Sequence, residues 1–152
     1  MKILNESKIT FLSKSANEGY ARAVVAAFAA QLDPTLDELG DIKTSVSEAV
    51  TNCIVHAYPD SVGIIHINLR ILEGNILEIA VRDRGIGIPD INMAMTPMYT
   101  TGGSDRSGMG LTIIESFNDN LKIRSKPNSG TTITMRKRIS MRNRGSLRDR
   151  NI

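Results

Sequence analysis

The sequence predicts an α+β layer sandwich, and two observations carry that expectation. Segments of strand and helix periodicity follow one another in the order β-α-α-β-β-loop-α-β-β. Two helices precede an antiparallel hairpin and one more follows a long loop, an order that suits a layered α+β domain better than a doubly wound parallel sheet.

Each element has a local reason. Ile9 and Phe11 alternate with polar neighbours over Lys8 to Leu12, giving a short strand. An alanine-rich helix spans about Ala16 to Leu32, with Tyr20, Val24, Ala27, Phe28 and Gln31 marking its turns. Asp33-Pro34 stops it, because proline disfavours helix in the residue before it. Thr35 and Glu38 have the spacing of a capping box and open the central helix, which runs past Gly40 to about Ala57 and ends at Tyr58-Pro59-Asp60. Ile65, Ile67, Leu69 and Ile71 alternate through Ile64 to Leu72, Glu73-Gly74-Asn75 turns, and Ile76 to Val81 returns as a hairpin. The period is lost after Asp83 until Gly110. Leu111 to Asn118 then reads as a helix with Leu111, Ile114 and Phe117 on one face. Leu121 to Arg124 and Thr131 to Met135 close the domain as strands around Pro127-Asn128-Ser129-Gly130.

With 152 residues, 41% hydrophobic and 23% charged, the chain fits one soluble domain with a proper core. The apolar run Val24 to Ala30 is too short for a bilayer, and M-K-I-L-N-E-S-K has no apolar leader core, so a cytoplasmic protein without membrane contact is expected. The single cysteine, Cys53, lies on the core face of the central helix and reads as a small buried hydrophobe. There is no disulfide framework and no zinc spacing. The net charge of +3 is unevenly spread: residues 136–152 hold seven of the 19 Lys and Arg and one acid, Asp149. The rest of the chain is mildly acidic. The basic tail, residues 140–152, lacks a sustained apolar period and is expected to be disordered, leaving residues 1–139 as the folded domain. Without an aromatic residue to stack bases, the tail gives no sign of specific nucleic-acid binding.

Three stretches carry chemistry. Ile42, Val46, Ala49, Val50, Cys53, Ile54 and Ala57 form the core face of the central helix, and Glu48, Asn52 and His56 line up beside it at i, i+4 and i+8. A carboxylate one turn below a carboxamide, next to a greasy face, is an unusual placement. Arg82-Asp83-Arg84-Gly85-Ile86-Gly87-Ile88-Pro89 follows a strand directly, so Asp83 sits where the sheet ends. Gly85 and Gly87 allow close backbone approach and positive φ. An acid at such a place accepts hydrogen bonds from an exocyclic amine, the polar handle of adenine. Asp105-Arg106-Ser107-Gly108-Met109-Gly110-Leu111 opens a helix, where backbone N–H groups and the dipole favour phosphate. The P-loop fails because Met109 stands where its lysine belongs, and the Rossmann fingerprint lacks its third glycine.

Together, E-A-V-T-N-C-I-V-H, D-R-G-I-G-I-P-D, S-G-M-G-L-T-I and Gly130-Thr131-Thr132 resemble the nucleotide-binding boxes of the gyrase, heat-shock chaperone, histidine kinase and MutL (GHKL) ATPase superfamily. Within it, Y-A-R-A-V-V-A-A-F-A-A-Q-L-D-P-T-L-D-E-L, I-K-T-S-V-S-E-A-V-T-N and R-S-G-M-G-L-T-I are similar to the small anti-sigma factor serine kinases of spore-forming and stress-responding bacteria. The likeness covers all but the basic tail. It implies the Bergerat-type two-layer α/β sandwich, a mostly antiparallel sheet covered by helices on one face. It implies an ATP-dependent protein serine/threonine kinase that works as a homodimer, binds a sporulation-type RNA polymerase sigma factor, and phosphorylates an anti-anti-sigma protein on serine. Glu48 would be the general base and Asn52 the Mg²⁺ ligand, with ATP or ADP bound. Asp83 would read adenine with Thr131 as helper. Gly85, Gly87, Gly108, Met109 and Gly110 would shape the pocket, and Arg106 would steady the γ-phosphate. Glu18 and Arg22, at i, i+4 on the first helix, would meet the partners. His56 would orient Glu48 or Asn52, or serve the helix end, the structural role being favoured. The lid between Asn92 and Ser107 departs from the family in its Gly102-Gly103-Ser104 tract, and the basic tail is a second departure. A sensor histidine kinase fragment is rejected, because only some 30 residues precede the capping box. The remaining alternative is an ATP-liganded anti-sigma binding module without kinase turnover; Glu48 separates the two, since a pure binder needs no base there.

Overall fold

The computed structural model describes residues 1–88 and 110–141. The site residues Arg106, Gly108 and Met109, the Asn92–Ser107 lid and the tail beyond Met141 lie outside the described residues. The elements run β1 (Ile3–Leu12), α1 (Ala16–Ala29) with a 3₁₀ turn (Ala30–Leu32), α2 (Leu36–Asn52) with a π-helical turn (Cys53–Ala57), β2 (Ile64–Leu72), β3 (Ile76–Asp83), α3 (Gly110–Phe117), β4 (Asn120–Lys126) and β5 (Gly130–Arg138). The five strands form one antiparallel sheet in the order β1-β2-β3-β5-β4.

Alternation decides which face of the sheet is covered. Ile65, Ile67 and Leu69 of β2, Val81 of β3 and Met135 of β5 are buried, and they pack with Val25 of α1, Val46 and Val50 of α2 and Ile114 of α3 in one core. The intervening residues, such as Asn68, Arg82 and Thr134, are half-buried or exposed. This is the two-layer sandwich, with helices on one face. Burial of each large aliphatic side chain contributes roughly 1.5–3 kcal/mol, so the helices are held by this face and not by their own propensity.

Helix boundaries follow the sequence signals. Asp33 adopts left-handed backbone (φ +48°) and ends the 3₁₀ turn. The Thr35 hydroxyl accepts from the Glu38 amide at 3.1 Å, and the Glu38 carboxylate accepts from the Thr35 amide at 2.9 Å, completing the capping box. The Glu38 carboxyl lies below its ordinary value: burial opposes ionisation, and hydrogen bonds from Thr35 and Ser140 outweigh it. Ser140 therefore ties the chain after β5 back to the start of α2, through its amide at 2.8 Å.

Three elements depart most from the expected limits. β1 begins at Ile3 and not Lys8, pairing with β2 along its whole length. It is an edge strand whose first residues are exposed, so no alternation marks them. β5 runs on to Arg138 because β3 pairs with it as far as Ile76↔Arg138; Arg136 bonds Glu78 at 2.8 Å and so extends a strand whose sequence looks like a charge run. The central helix widens into a π turn after Asn52, closed by the Tyr58 amide on the Cys53 carbonyl at 3.1 Å. That turn belongs to the site.

Candidate functional site

α2 places Glu48 and Asn52 one turn apart, both half-buried. Facing them is Gly110, the first described residue of α3. A Cβ on Gly110 would lie 2.9 Å from Glu48 Oε2 and 3.4 Å from Asn52 Oδ1, so any larger residue there would push the Glu48 carboxylate from its place. The burial of Ile114 one turn on fixes that approach. The Glu48 carboxyl is pushed above its ordinary value, first by burial and then by the Glu18 charge. The pair thus offers a poised acceptor and a neutral oxygen ligand at a helix N-terminus. Among the described residues no group of three or more His, Cys, Asp or Glu is placed to hold a metal alone. A single carboxamide oxygen suits Mg²⁺ that takes most of its remaining ligands from phosphates and water, so Asn52 fits that cation.

Asp83 ends β3 with its side chain turned inward and 6% exposed. Its Oδ1 accepts from the Gly85 amide at 2.9 Å and the Thr131 amide at 3.2 Å. Its Oδ2 accepts from the Cys53 thiol at 3.5 Å. Burial raises the carboxyl's pKa, and the three hydrogen bonds pull it back. Asn52 and Cys53 are consecutive, so the two halves of the site meet at the junction of α2 and the π turn.

The glycines of the loop after β3 serve packing. Ile86 donates its amide to the Ala57 carbonyl at 3.2 Å, and a Cβ on Gly85 would lie 2.2 Å from that same oxygen. The π turn presents this carbonyl to the loop, and π turns of this kind recur at functional sites. Gly87 is left-handed (φ +81°), and its Cβ would strike the Lys126 carbonyl at 2.2 Å. The Gly85 amide is already bonded to Asp83, so Gly85 shapes the pocket through the aspartate.

Three supporting residues carry no sequence signal of their own. The Tyr58 hydroxyl donates to the Ile64 carbonyl at 2.8 Å and accepts from the Arg84 amide at 2.7 Å, clamping the loop to the first hairpin strand. The Ser125 hydroxyl lies 2.8 Å from that of Thr131 and accepts from the Ile88 amide at 2.7 Å. Cys53 is the third. An open depression of about 570 Å³ at this end of the sheet is lined by Asp83, Ser125, Gly130 and Thr131 together with Arg82 and Arg124. It meets the Asp83 end of the site; its described lining does not reach Glu48. His56 lies half-buried in the π turn.

On α1, Arg22 Nη1 donates to Glu18 Oε1 at 3.1 Å and to Ser47 Oγ at 3.1 Å. Ser47 precedes Glu48, so this pair lies against the same stretch of α2 as the candidate base.

Fold and site together define a class: a nucleotide-binding domain of GHKL type, with a carboxylate and carboxamide on one helix and an aspartate at a strand end. A family model described as a histidine kinase-like ATPase domain matches residues 11–137. The anti-sigma F factor of Thermoanaerobacter sp. (strain X514) is 52% identical over 140 residues, covering 91% of this chain and 97% of that protein. The anti-sigma F factor of Clostridium kluyveri (strain ATCC 8527) is 54% identical over 134 residues, covering 88% of this chain and 94% of that protein. The solved structure of the RsbU and RsbW domains of a Mycobacterium tuberculosis protein matches with a TM-score of 0.67 at 21% identity, over 91% of this chain and 33% of that one, a likeness of fold. The chain belongs to the histidine kinase-like ATPase family, in the group that contains the anti-sigma F factors.

Proposed function

We propose that this protein is an anti-sigma factor with kinase activity: it binds and inhibits a sporulation-type sigma factor and uses ATP to phosphorylate a serine on the anti-anti-sigma protein. The observation that carries the reading is Glu48, with its raised pKa, one turn from Asn52 and against Gly110 at the start of α3. A neutral serine hydroxyl is a weak nucleophile, and a carboxylate within reach accepts its proton as the oxygen attacks. The new bond forms between serine oxygen and γ-phosphorus, the γ–β bridging bond breaks, ADP leaves, and the proton rests on Glu48. Asn52 would hold Mg²⁺ through its side-chain oxygen, and the cation would supply neutralisation of charge on the transferring group. Asp83 selects adenine, helped by Thr131. Arg106, Gly108 and Met109 complete the phosphate cradle in this reading. Glu18 and Arg22 form part of the face shared by sigma factor and antagonist, and the protein acts in the cytoplasm as a homodimer.

The nucleotide then decides the outcome at that face. With ATP the antagonist is phosphorylated on its serine and released; with ADP the complex has nothing to transfer and persists, freeing sigma. The test is incubation with γ-labelled ATP, Mg²⁺ and the candidate antagonist. Acid-stable label on an antagonist serine supports the reading. Firm antagonist and sigma binding without label would leave a binding module in its place.

A further inference from the structure

The two oxygens of the Asp83 carboxylate live in different surroundings. Oδ1 accepts two backbone N–H bonds, from Gly85 and Thr131, at 2.9 and 3.2 Å. Oδ2 meets the Cys53 thiol at 3.5 Å, within the range of a sulfur donor. A carboxylate oxygen has two acceptor directions, so Oδ1 is filled and Oδ2 keeps one after the thiol has taken the other.

We infer that Cys53 is a positioning residue for base recognition: its thiol fixes the Asp83 carboxylate so that Oδ2 faces the exocyclic amine of adenine. The inference rests on the adenine-reading role proposed for Asp83. Burial alone does not explain the cysteine. At 2% exposure an alanine would also be buried there, yet Sγ is directed at the one carboxylate oxygen that the backbone leaves free. Cys53 also opens the π turn, whose Ala57 carbonyl holds Ile86, two residues before Ile88 and the bond to Ser125. The donor therefore stands on the same turn that locks the loop around Asp83. A thiol is a weak donor, so its share in recognition is modest and specific to the amine.

The test is calorimetric binding of two nucleotides, ATP and purine riboside triphosphate, which differs from ATP only in lacking the 6-amine. Wild type, Cys53→Ala and Cys53→Ser are compared. Cys53→Ala is expected to weaken ATP binding about three- to tenfold, the size of one modest hydrogen bond. It should leave the purine analogue within about twofold of wild type, since no amine is there to lose. Cys53→Ser, which retains a donor, should bind ATP close to wild type. Thermal unfolding of each variant reports any packing loss separately. Equal losses for both nucleotides, or no loss for either, would overturn the inference alone. A wild-type protein that does not distinguish ATP from the purine analogue would overturn the role of Asp83, and the inference with it.

Discussion

Alanine at position 110 probes the closest approach in the site. A Cβ there would sit 2.9 Å from Glu48 Oε2, about 0.5 Å inside the 3.4 Å at which ordinary contact begins. Asn52 Oδ1, at 3.4 Å, stands at that limit. Gly110 is helical, so alanine can adopt its backbone. In the first turn of α3 it gains up to about 1 kcal/mol over glycine. The group in the way is the end of a flexible side chain, so the carboxylate moves and the fold stays. A catalytic group tolerates about 0.5 Å of misplacement, and about 1 Å costs on the order of 10²-fold in rate. Gly110→Ala should therefore slow phosphotransfer about 10- to 100-fold while the unfolding temperature is held or raised. The assay is label transfer from ATP to the antagonist at saturating nucleotide, with thermal unfolding alongside. A wild-type transfer rate in a fully folded variant would refute the placement of Glu48 against this helix start.

Asp83→Asn keeps the oxygen that the Gly85 and Thr131 amides hold, but turns an NH₂ towards Cys53 and the adenine amine; ATP affinity should fall by about 1–3 kcal/mol or more, and wild type should reject GTP. Equal calorimetric affinity for ATP and GTP would sink that assignment. Arg22→Ala should weaken antagonist and sigma-factor capture in a pull-down while ATP affinity is unchanged; capture of both at wild-type level removes Arg22 from the shared face. The pH profile has a defined sign. A base must be ionised, so transfer is lost as pH falls through the Glu48 pKa, which lies above 4.5 because of burial and then Glu18. Glu18→Gln removes the second cause and should move the acid limb to lower pH; a limb that stays put or rises contradicts it. For stability the sign is opposite: the raised pKa means that Glu48 weakens the fold as pH climbs from 4.5 through the raised value.

The sequence reads well where one residue acts on its own helix or strand. Thr35 and Glu38 announce their capping box, and Ile65, Ile67 and Leu69 announce the buried face of β2, because both signals are local. Glu48 and Asn52 are legible as an i, i+4 pair for the same reason. What escapes is whatever depends on a distant partner. β1 starts five residues early because β2 supplies its pairing, and Arg136 looks like part of a charged tail until Glu78 makes it a strand residue. The π turn cannot be read from C-I-V-H-A, whose pattern fits a plain helix; the Ala57 carbonyl meets a loop almost thirty residues on, at Ile86. Cys53 reads as a hydrophobe because its acceptor, Asp83, is thirty residues away in the chain. Gly85 and Gly87 suggest ligand approach, and the structure gives each a backbone carbonyl to avoid.

The most direct test of the central claim is phosphotransfer by Glu48→Gln, measured beside wild type with ATP, Mg²⁺ and antagonist all saturating. Glutamine keeps the size and helical preference of the residue and removes only the proton acceptor. Nucleotide, antagonist and sigma-factor binding should be retained, while transfer falls by roughly 10²–10⁴, the share of a general base. Wild-type turnover in this variant would contradict the account.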